Sequence, residues 1–115
     1  KVITIYGDGS QTRSFCYIDD MIEALIKIMK LKNAPQTPIN LGNPVELKIG
    51  DLAKKIVAMI GSDCEISYHP LPQDDPKQRC PDISLAKQTL DWQATTNLDA
   101  GLEKTIAYFK TILDT

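Results

Sequence analysis

The sequence predicts one small domain of mixed α/β class. Three observations carry that expectation. Short β-branched runs end at glycine, longer stretches between them place apolar residues at helical spacing, and 115 residues suit a single folding unit. Hydrophobic residues make up 43% of the chain and charged ones 24%, which allows a modest core and sets the chain apart from disordered sequences.

Taken in order, Val2-Ile3-Thr4-Ile5-Tyr6 is β-branched and aromatic, and Gly7-Asp8-Gly9 stops it, so a strand and a turn are expected. Residues 14–18 suit a second short strand. Asp19 or Asp20 is expected to cap a helix, Asp20 with Glu23 having the spacing of a capping box, and Ile22, Leu25, Ile26 and Met29 recur at helical intervals, which predicts a helix burying that face. Pro35 and Pro38 bracket a loop before a short strand over residues 39–41, ended by Gly42-Asn43-Pro44. The clearest helix follows. Leu52, Ala53, Ile56, Val57 and Ile60 form one stripe, Lys54 and Lys55 face outward, and Gly61 suits the C-cap. Residues 64–68 alternate like a strand with one wet face. Residues 70–81 are proline-rich and polar and read as an irregular surface loop. Asp82 is expected to cap a short helix with Leu85, Ala86 and Leu90 inward, and Trp92 to cover the end of the core. Asn97 should cap a last helix in which Leu102, Ile106 and Phe109 point one way.

Composition also excludes some functions. Thirteen Lys and Arg against fifteen Asp and Glu, with no basic block, argue against a nucleic-acid-binding face. Cys16, Cys64, Cys80 and the lone His69 are too scattered for a zinc site. The thiols read as free, Cys16 and Cys64 as small buried groups, and His69 as a surface histidine. No apolar run approaches the ~20 residues that cross a bilayer. A cytoplasmic setting is therefore expected, with a lumenal, membrane-anchored parent as the alternative.

Two segments hold more polar chemistry than packing requires. In Tyr6-Gly7-Asp8-Gly9-Ser10-Gln11-Thr12-Arg13-Ser14-Phe15 the glycines permit a tight turn that can approach a ligand, and Arg13 offers the paired donors that match phosphate oxygens. In Asp74-Asp75-Pro76-Lys77-Gln78-Arg79 charges of both signs crowd a constrained loop. Composition alone favours a solvated arginine in the first and a local salt-bridge network in the second.

Together with Cys16-Tyr17-Ile18-Asp19-Asp20, with Ile39-Asn40-Leu41-Gly42-Asn43-Pro44 and with the run from Asp74 to Ile83, these segments resemble, in order, the substrate-domain blocks of extended short-chain dehydrogenase/reductases. Leu90-Asp91-Trp92 and Leu98-Asp99-Ala100-Gly101-Leu102 resemble the closing helical segments of those enzymes. Thr12-Arg13-Ser14-Phe15 and the third block are most similar to the UDP-glucuronate decarboxylases; dTDP-glucose 4,6-dehydratases and UDP-sugar epimerases share the first block more loosely. The resemblance implies a small α/β substrate-binding domain over residues 1–115, part of a longer, homodimeric enzyme whose N-terminal Rossmann domain holds NAD. It implies that Arg13 and Arg79 grip the diphosphate of a UDP-sugar, that Tyr6 and Gln11 lie along the nucleotide, and that Tyr17 is either a ligand contact or structural. Asp82 matches a family aspartate, more simply a helix cap, and no ligand role transfers to Cys80.

The resemblance implies a reaction in which NAD oxidises the sugar at C4, the keto acid loses carbon dioxide, and reduction yields UDP-xylose. The parts for that chemistry are not in this sequence. Its glycines fall at 7, 9, 42, 50, 61 and 101, without the spacing of a dinucleotide fingerprint. Four residues after Tyr6, Tyr17, Tyr68 and Tyr108 come Ser10, Met21, Pro72 and Ile112, so no Tyr-x-x-x-Lys pair exists. The chain alone is expected to bind a nucleotide sugar and to catalyse nothing; a non-enzymatic assembly domain is the rival expectation.

Overall fold

A computed structural model describes residues 1–113 and gives the order β1 (Val2–Tyr6), β2 (Thr12–Ser14), α1 (Ile18–Met29), β3 (Glu46–Lys48), α2 (Ile49–Ile60), β4 (Glu65–His69), α3 (Ser84–Leu90) and α4 (Leu98–Leu113). Among the described residues two sheets of two strands form. β1 pairs in parallel with β4, Ile5 opposite Tyr68, and β2 pairs antiparallel with β3, Arg13 opposite Leu47. The mixed α/β class holds.

The core lies between α1, α3 and the segment after α3. Ala24, Ile83, Ala86, Leu90 and Trp92 are buried together, with Cys16, Ile28, Ile39 and Leu41 packed against them. Trp92, at 3% exposure, closes this core as expected, and its indole Nε1–H donates to the Asp20 carbonyl at 3.0 Å. Neither Asp19 nor Asp20 caps α1. The helix begins at Ile18 after an extended Tyr17, so Asp20 sits inside the first turn, where a carboxylate suits the positive end of the helix. Its buried carboxylate instead accepts from the Thr96 backbone N–H at 2.9 Å and from the Thr95 hydroxyl at 3.3 Å. One residue thus ties α1 to the chain entering α4.

The stripe of α1 expected to be buried is open. Ile22, Leu25 and Ile26 are half in solvent, Ile18 is 62% and Met29 82% exposed, while the shorter Ala24 faces the core. The molecule is correspondingly flat, 51 × 38 × 20 Å, with a radius of gyration of 16.8 Å where a compact domain of this size has about 13 Å. Residues 39–41 are not a strand. Ile39 and Leu41 pack on the core, but their backbone has no strand neighbour among the described residues, and ladder pairing falls instead to Glu46–Lys48. β2 likewise spans Thr12–Ser14, ahead of the expected residues 14–18.

The other elements follow the sequence more closely. α2 half-buries Leu52, Ile56 and Val57 around a buried Ala53 and stops at Gly61, whose φ of 70° is the left-handed C-cap; Ile60 is left 48% exposed. Asn97 Oδ1 accepts from the Ala100 N–H at 2.8 Å to start α4, and Leu102 and Ile106 are half-buried, but Phe109 is 51% exposed. Asp82 is not the N-cap of α3, which is Ile83, but, from one residue before it, accepts from both the N–H and the hydroxyl of Ser84, which holds the Asp82 carboxyl below its ordinary range.

Asp20→Ala is expected to lower unfolding free energy by about 1–3 kcal/mol, because the half-buried Thr96 N–H loses its acceptor. Urea denaturation followed by the fluorescence of Trp92, the single tryptophan, measures it.

Candidate functional site

The turn after β1 is built by backbone contacts. Gly7 and Gly9 have φ of 91° and 84°, conformations that disfavour any side chain. Gly9 lies against Gly50, and a Cβ on Gly9 would stand 3.1 Å from the Gly50 Cα. The close approach that the glycines allow is therefore to the start of α2. There the Gly9 carbonyl accepts from the Gly50 N–H at 2.9 Å and the Gln11 carbonyl from the Ile49 N–H at 3.0 Å, filling the first amide positions that a helix leaves open. Gln11 is buried, with its side-chain amide donating to the Tyr6 carbonyl, so it braces the turn from inside.

This turn delivers Arg13 in β2. The loop of residues 70–81 comes to it across 62 positions of chain, counted from Arg13 to Asp75, and is moored at several points. The Thr12 N–H donates to the Lys77 carbonyl at 2.8 Å, the Gln78 amide donates to Glu46 on β3 at 2.7 Å, and Pro81 packs on Gly42, where a Cβ would stand 2.9 Å from its ring. Asp75 in this loop accepts from Arg13 Nη2 at 2.8 Å, and Arg13 Nη1 donates to the Thr12 carbonyl at 2.6 Å. Arg79 has no ion pair among the described residues.

Between β2 and this loop opens a cleft of about 410 Å³, with Arg13 and Arg79 in its lining. Ser14, Asn40, Leu41, Cys80 and Pro81 complete it. Asn40 was not singled out from sequence, although its place between two apolar residues was a usable signal. Ile39 and Leu41 turn to the core, and Asn40 is exposed and lines the cleft. Asp75 as the partner of Arg13 had no local signal, because the two lie 62 positions apart.

The other residues named from sequence are elsewhere. Tyr6 ends β1, exposed, its ring 6.0 Å from that of its strand partner His69. Gln11 is inside the turn. Tyr17 packs on Gly101 and under the Lys104 ammonium, 5.5 Å from its ring, and lines a separate apolar hollow of about 270 Å³ with Phe15, Leu52 and Leu102. None of the three lines the arginine cleft. Two guanidiniums line one open cleft, one of them without an acid, and such groups carry the paired donors that match an anion with several oxygens.

The sequence profile described as GDP-mannose 4,6 dehydratase matches residues 1–105. The chain is 41% identical over 114 residues to UDP-glucuronic acid decarboxylase 1 of Danio rerio, covering 99% of this chain and 27% of that protein. It is 44% identical over 103 residues to UDP-glucuronic acid decarboxylase 6 of Arabidopsis thaliana, covering 89% of this chain and 29% of that one. The fold superimposes on a UDP-glucuronic acid 4-epimerase from Bacillus cereus, solved in complex with UDP-glucuronic acid and NAD, with a TM-score of 0.89 and 33% identity over 97% of this chain and 36% of the other. The chain spans less than a third of the length of these curated relatives.

The three free thiols offer a direct check on the cleft. Cys80 is exposed on its rim, while Cys16 is half-buried and its thiol is pushed up by burial and, secondarily, by the Asp20 charge. At pH 8 Cys80 is expected to alkylate about tenfold or more faster than Cys16, because the thiolate is the reacting form. Peptide mass mapping after timed iodoacetamide treatment reads the order.

Proposed function

The chain belongs to the GDP-mannose 4,6 dehydratase family, and from that premise we propose that it binds the UDP-sugar substrate of a UDP-glucuronate decarboxylase. The observation that carries the reading is the pairing of Arg13 and Arg79 on one cleft. A nucleotide sugar presents a diphosphate, whose oxygens Arg79 can engage by two parallel N–H donors and Arg13 by the donors that Asp75 and the Thr12 carbonyl leave open. Asn40 adds an amide to the same wall. Tyr6 is assigned to the nucleotide side, at the end of β1, while Gln11, buried with its amide on the Tyr6 carbonyl, is assigned to bracing the turn rather than to the ligand. Tyr17, held by Gly101 and Lys104, is assigned a structural part.

In a protein of the relatives' length, NAD would supply the redox step at C4 of the sugar, and loss of the carboxyl group would make the product UDP-xylose, a carboxy-lyase activity. The residues of this chain do not fit that cofactor. Its six glycines lack the fingerprint spacing and no tyrosine is followed four residues later by lysine. Its share is to grip the diphosphate and so orient the sugar. The likeness to the epimerase from Bacillus cereus supports the same share in an epimerase or a dehydratase, since a diphosphate grip serves any of these reactions.

The open stripe on α1, from Ile18 to Met29, supports a second proposal about partners. Clustered apolar side chains of this extent mark a docking face, and the dinucleotide-binding half of a relative-length protein is the proposed occupant. The homodimer and the cytoplasmic setting remain proposals tied to that larger protein.

Titration of the chain with UDP, UDP-glucuronate and NAD, followed by amide chemical shifts, tests the binding reading. Shifts at residues around Arg13, Asn40 and Arg79 are expected with both UDP ligands, and equal shifts with NAD, which also carries a diphosphate, would reduce the reading to a diphosphate grip without nucleotide selectivity. Arg13→Ala and Arg79→Ala should each weaken UDP binding about ten- to a hundredfold, as loss of a charge-assisted contact does. Unchanged affinity in both variants removes the cleft as the site. For the α1 stripe, Ile22→Asp with Ile26→Lys is expected to abolish association of this chain with the separately supplied dinucleotide-binding half of a relative in light scattering, while leaving the circular dichroism of the chain unchanged.

A further inference from the structure

We propose that Asp75 is a built-in counter-anion for Arg13, a positioning residue that holds the guanidinium at the cleft and weakens its grip on an incoming phosphate. The inference rests on the anion-binding reading of the cleft and goes beyond it, because it assigns a residue that tunes affinity without needing to touch the ligand.

The two arginines of the cleft are not equivalent. Arg13 donates one Nη to Asp75 at 2.8 Å and the other to the Thr12 carbonyl at 2.6 Å, and its side chain is only 20% exposed. Arg79 is exposed and has no acidic partner among the described residues. Counting Arg13, Arg79 and Asp75, the cleft carries one net positive charge where it could carry two. A diphosphate must therefore share Arg13 with a carboxylate already in contact with it. Without a ligand, the same carboxylate offsets the repulsion between the arginines and fixes the direction of Arg13.

Asp75 is separable from the scaffold of its loop. The loop is moored by the Lys77 carbonyl, the Gln78 amide and the packing of Pro81 on Gly42, and the Asp75 N–H closes a turn on the Pro72 carbonyl at 3.1 Å. None of these contacts uses the Asp75 carboxylate. Asp75→Asn keeps an oxygen able to accept from Arg13 and removes only the charge. Asp74 is exposed and its carboxylate has no ion pair among the described residues, so Asp74→Asn removes the same charge one position away.

Calorimetric titration of the whole chain with inorganic pyrophosphate, and separately with UDP, tests the proposal. Asp75→Asn is expected to tighten pyrophosphate binding about three- to tenfold, the effect of deleting one unit charge a few ångströms from the ligand in a partly screened cleft. Asp74→Asn should change it less than about twofold, and Asp75→Glu, which keeps the charge, should stay near the parent value. An Asp75→Asn chain that folds by circular dichroism but binds pyrophosphate no better, or more weakly, overturns the proposal and makes Asp75 a scaffold for Arg13. Equal tightening by Asp74→Asn overturns it as well, since the loop's overall charge is then the cause. Failure of every chain to bind pyrophosphate also overturns it. Expected pyrophosphate behaviour with no UDP binding in any chain leaves Asp75 as the counter-anion and removes the nucleotide reading instead.

Discussion

The meeting of Gly9 with Gly50 is the constraint from which the site follows. A turn can only press its backbone onto the first residues of a helix if neither side carries a Cβ, and here the gap would leave 3.1 Å for one. The approach lets two carbonyls of the turn occupy the amides at the start of α2, which a helix otherwise leaves to water or to a capping side chain. Lys48, the residue before α2, makes no side-chain cap, so the turn does that work. With the turn seated, β2 meets β3 in register, Thr12 presents its amide to the loop of residues 70–81, and Arg13 and Arg79 come to one cleft.

A second joint holds the helical side of the molecule. Asp20 contributes a carbonyl to Trp92 and a carboxylate to Thr96, so one residue satisfies polar groups from two later segments while the apolar contacts of Ala24, Ala86 and Leu90 exclude water around them. The two joints differ in kind. The first is backbone on backbone and tolerates no side chain, whereas the second depends on one particular carboxylate. Between them the chain builds a small core on one side and leaves the apolar face of α1 on the other, which accounts for its flat shape.

Much of this was legible in the sequence where the signal is local. The α2 stripe, the glycine stop at Gly61 and the Asn97 cap depend on near neighbours, and each appears as expected, with Ile60 and Phe109 left outside, while Trp92 closes the core as expected through partners as far as 72 positions away. The misreadings share one cause. The spacing of Asp20 and Glu23 fits a capping box, but the N-cap is Tyr17, three residues earlier, and the Asp20 carboxylate is engaged by Thr96, 76 positions on. Residues 39–41 have strand composition, yet a strand is defined by its neighbour, and none pairs with them among the described residues. Helical spacing on α1 reports an apolar face without saying what covers it. In the cleft, the pairing of Arg13 with Arg79 came from resemblance rather than from any rule of spacing, and the Asp75 contact could only appear once the chain was folded.

That long span has a consequence for how the site comes into being. Arg13 and Asp75 meet across 62 intervening steps of chain, and contacts of such separation are slow to form because loop closure must come first. The cleft therefore needs both segments in place and is absent from any state that has only its helices. An anion gripped by both arginines, as proposed, would act as a reversible staple between two segments distant in sequence. Binding the finished fold and not its precursors, it would at a hundred times its dissociation constant add about 2.7 kcal/mol to the stability of that fold. Occupancy of the cleft, in that sense, is also a record that the chain has folded.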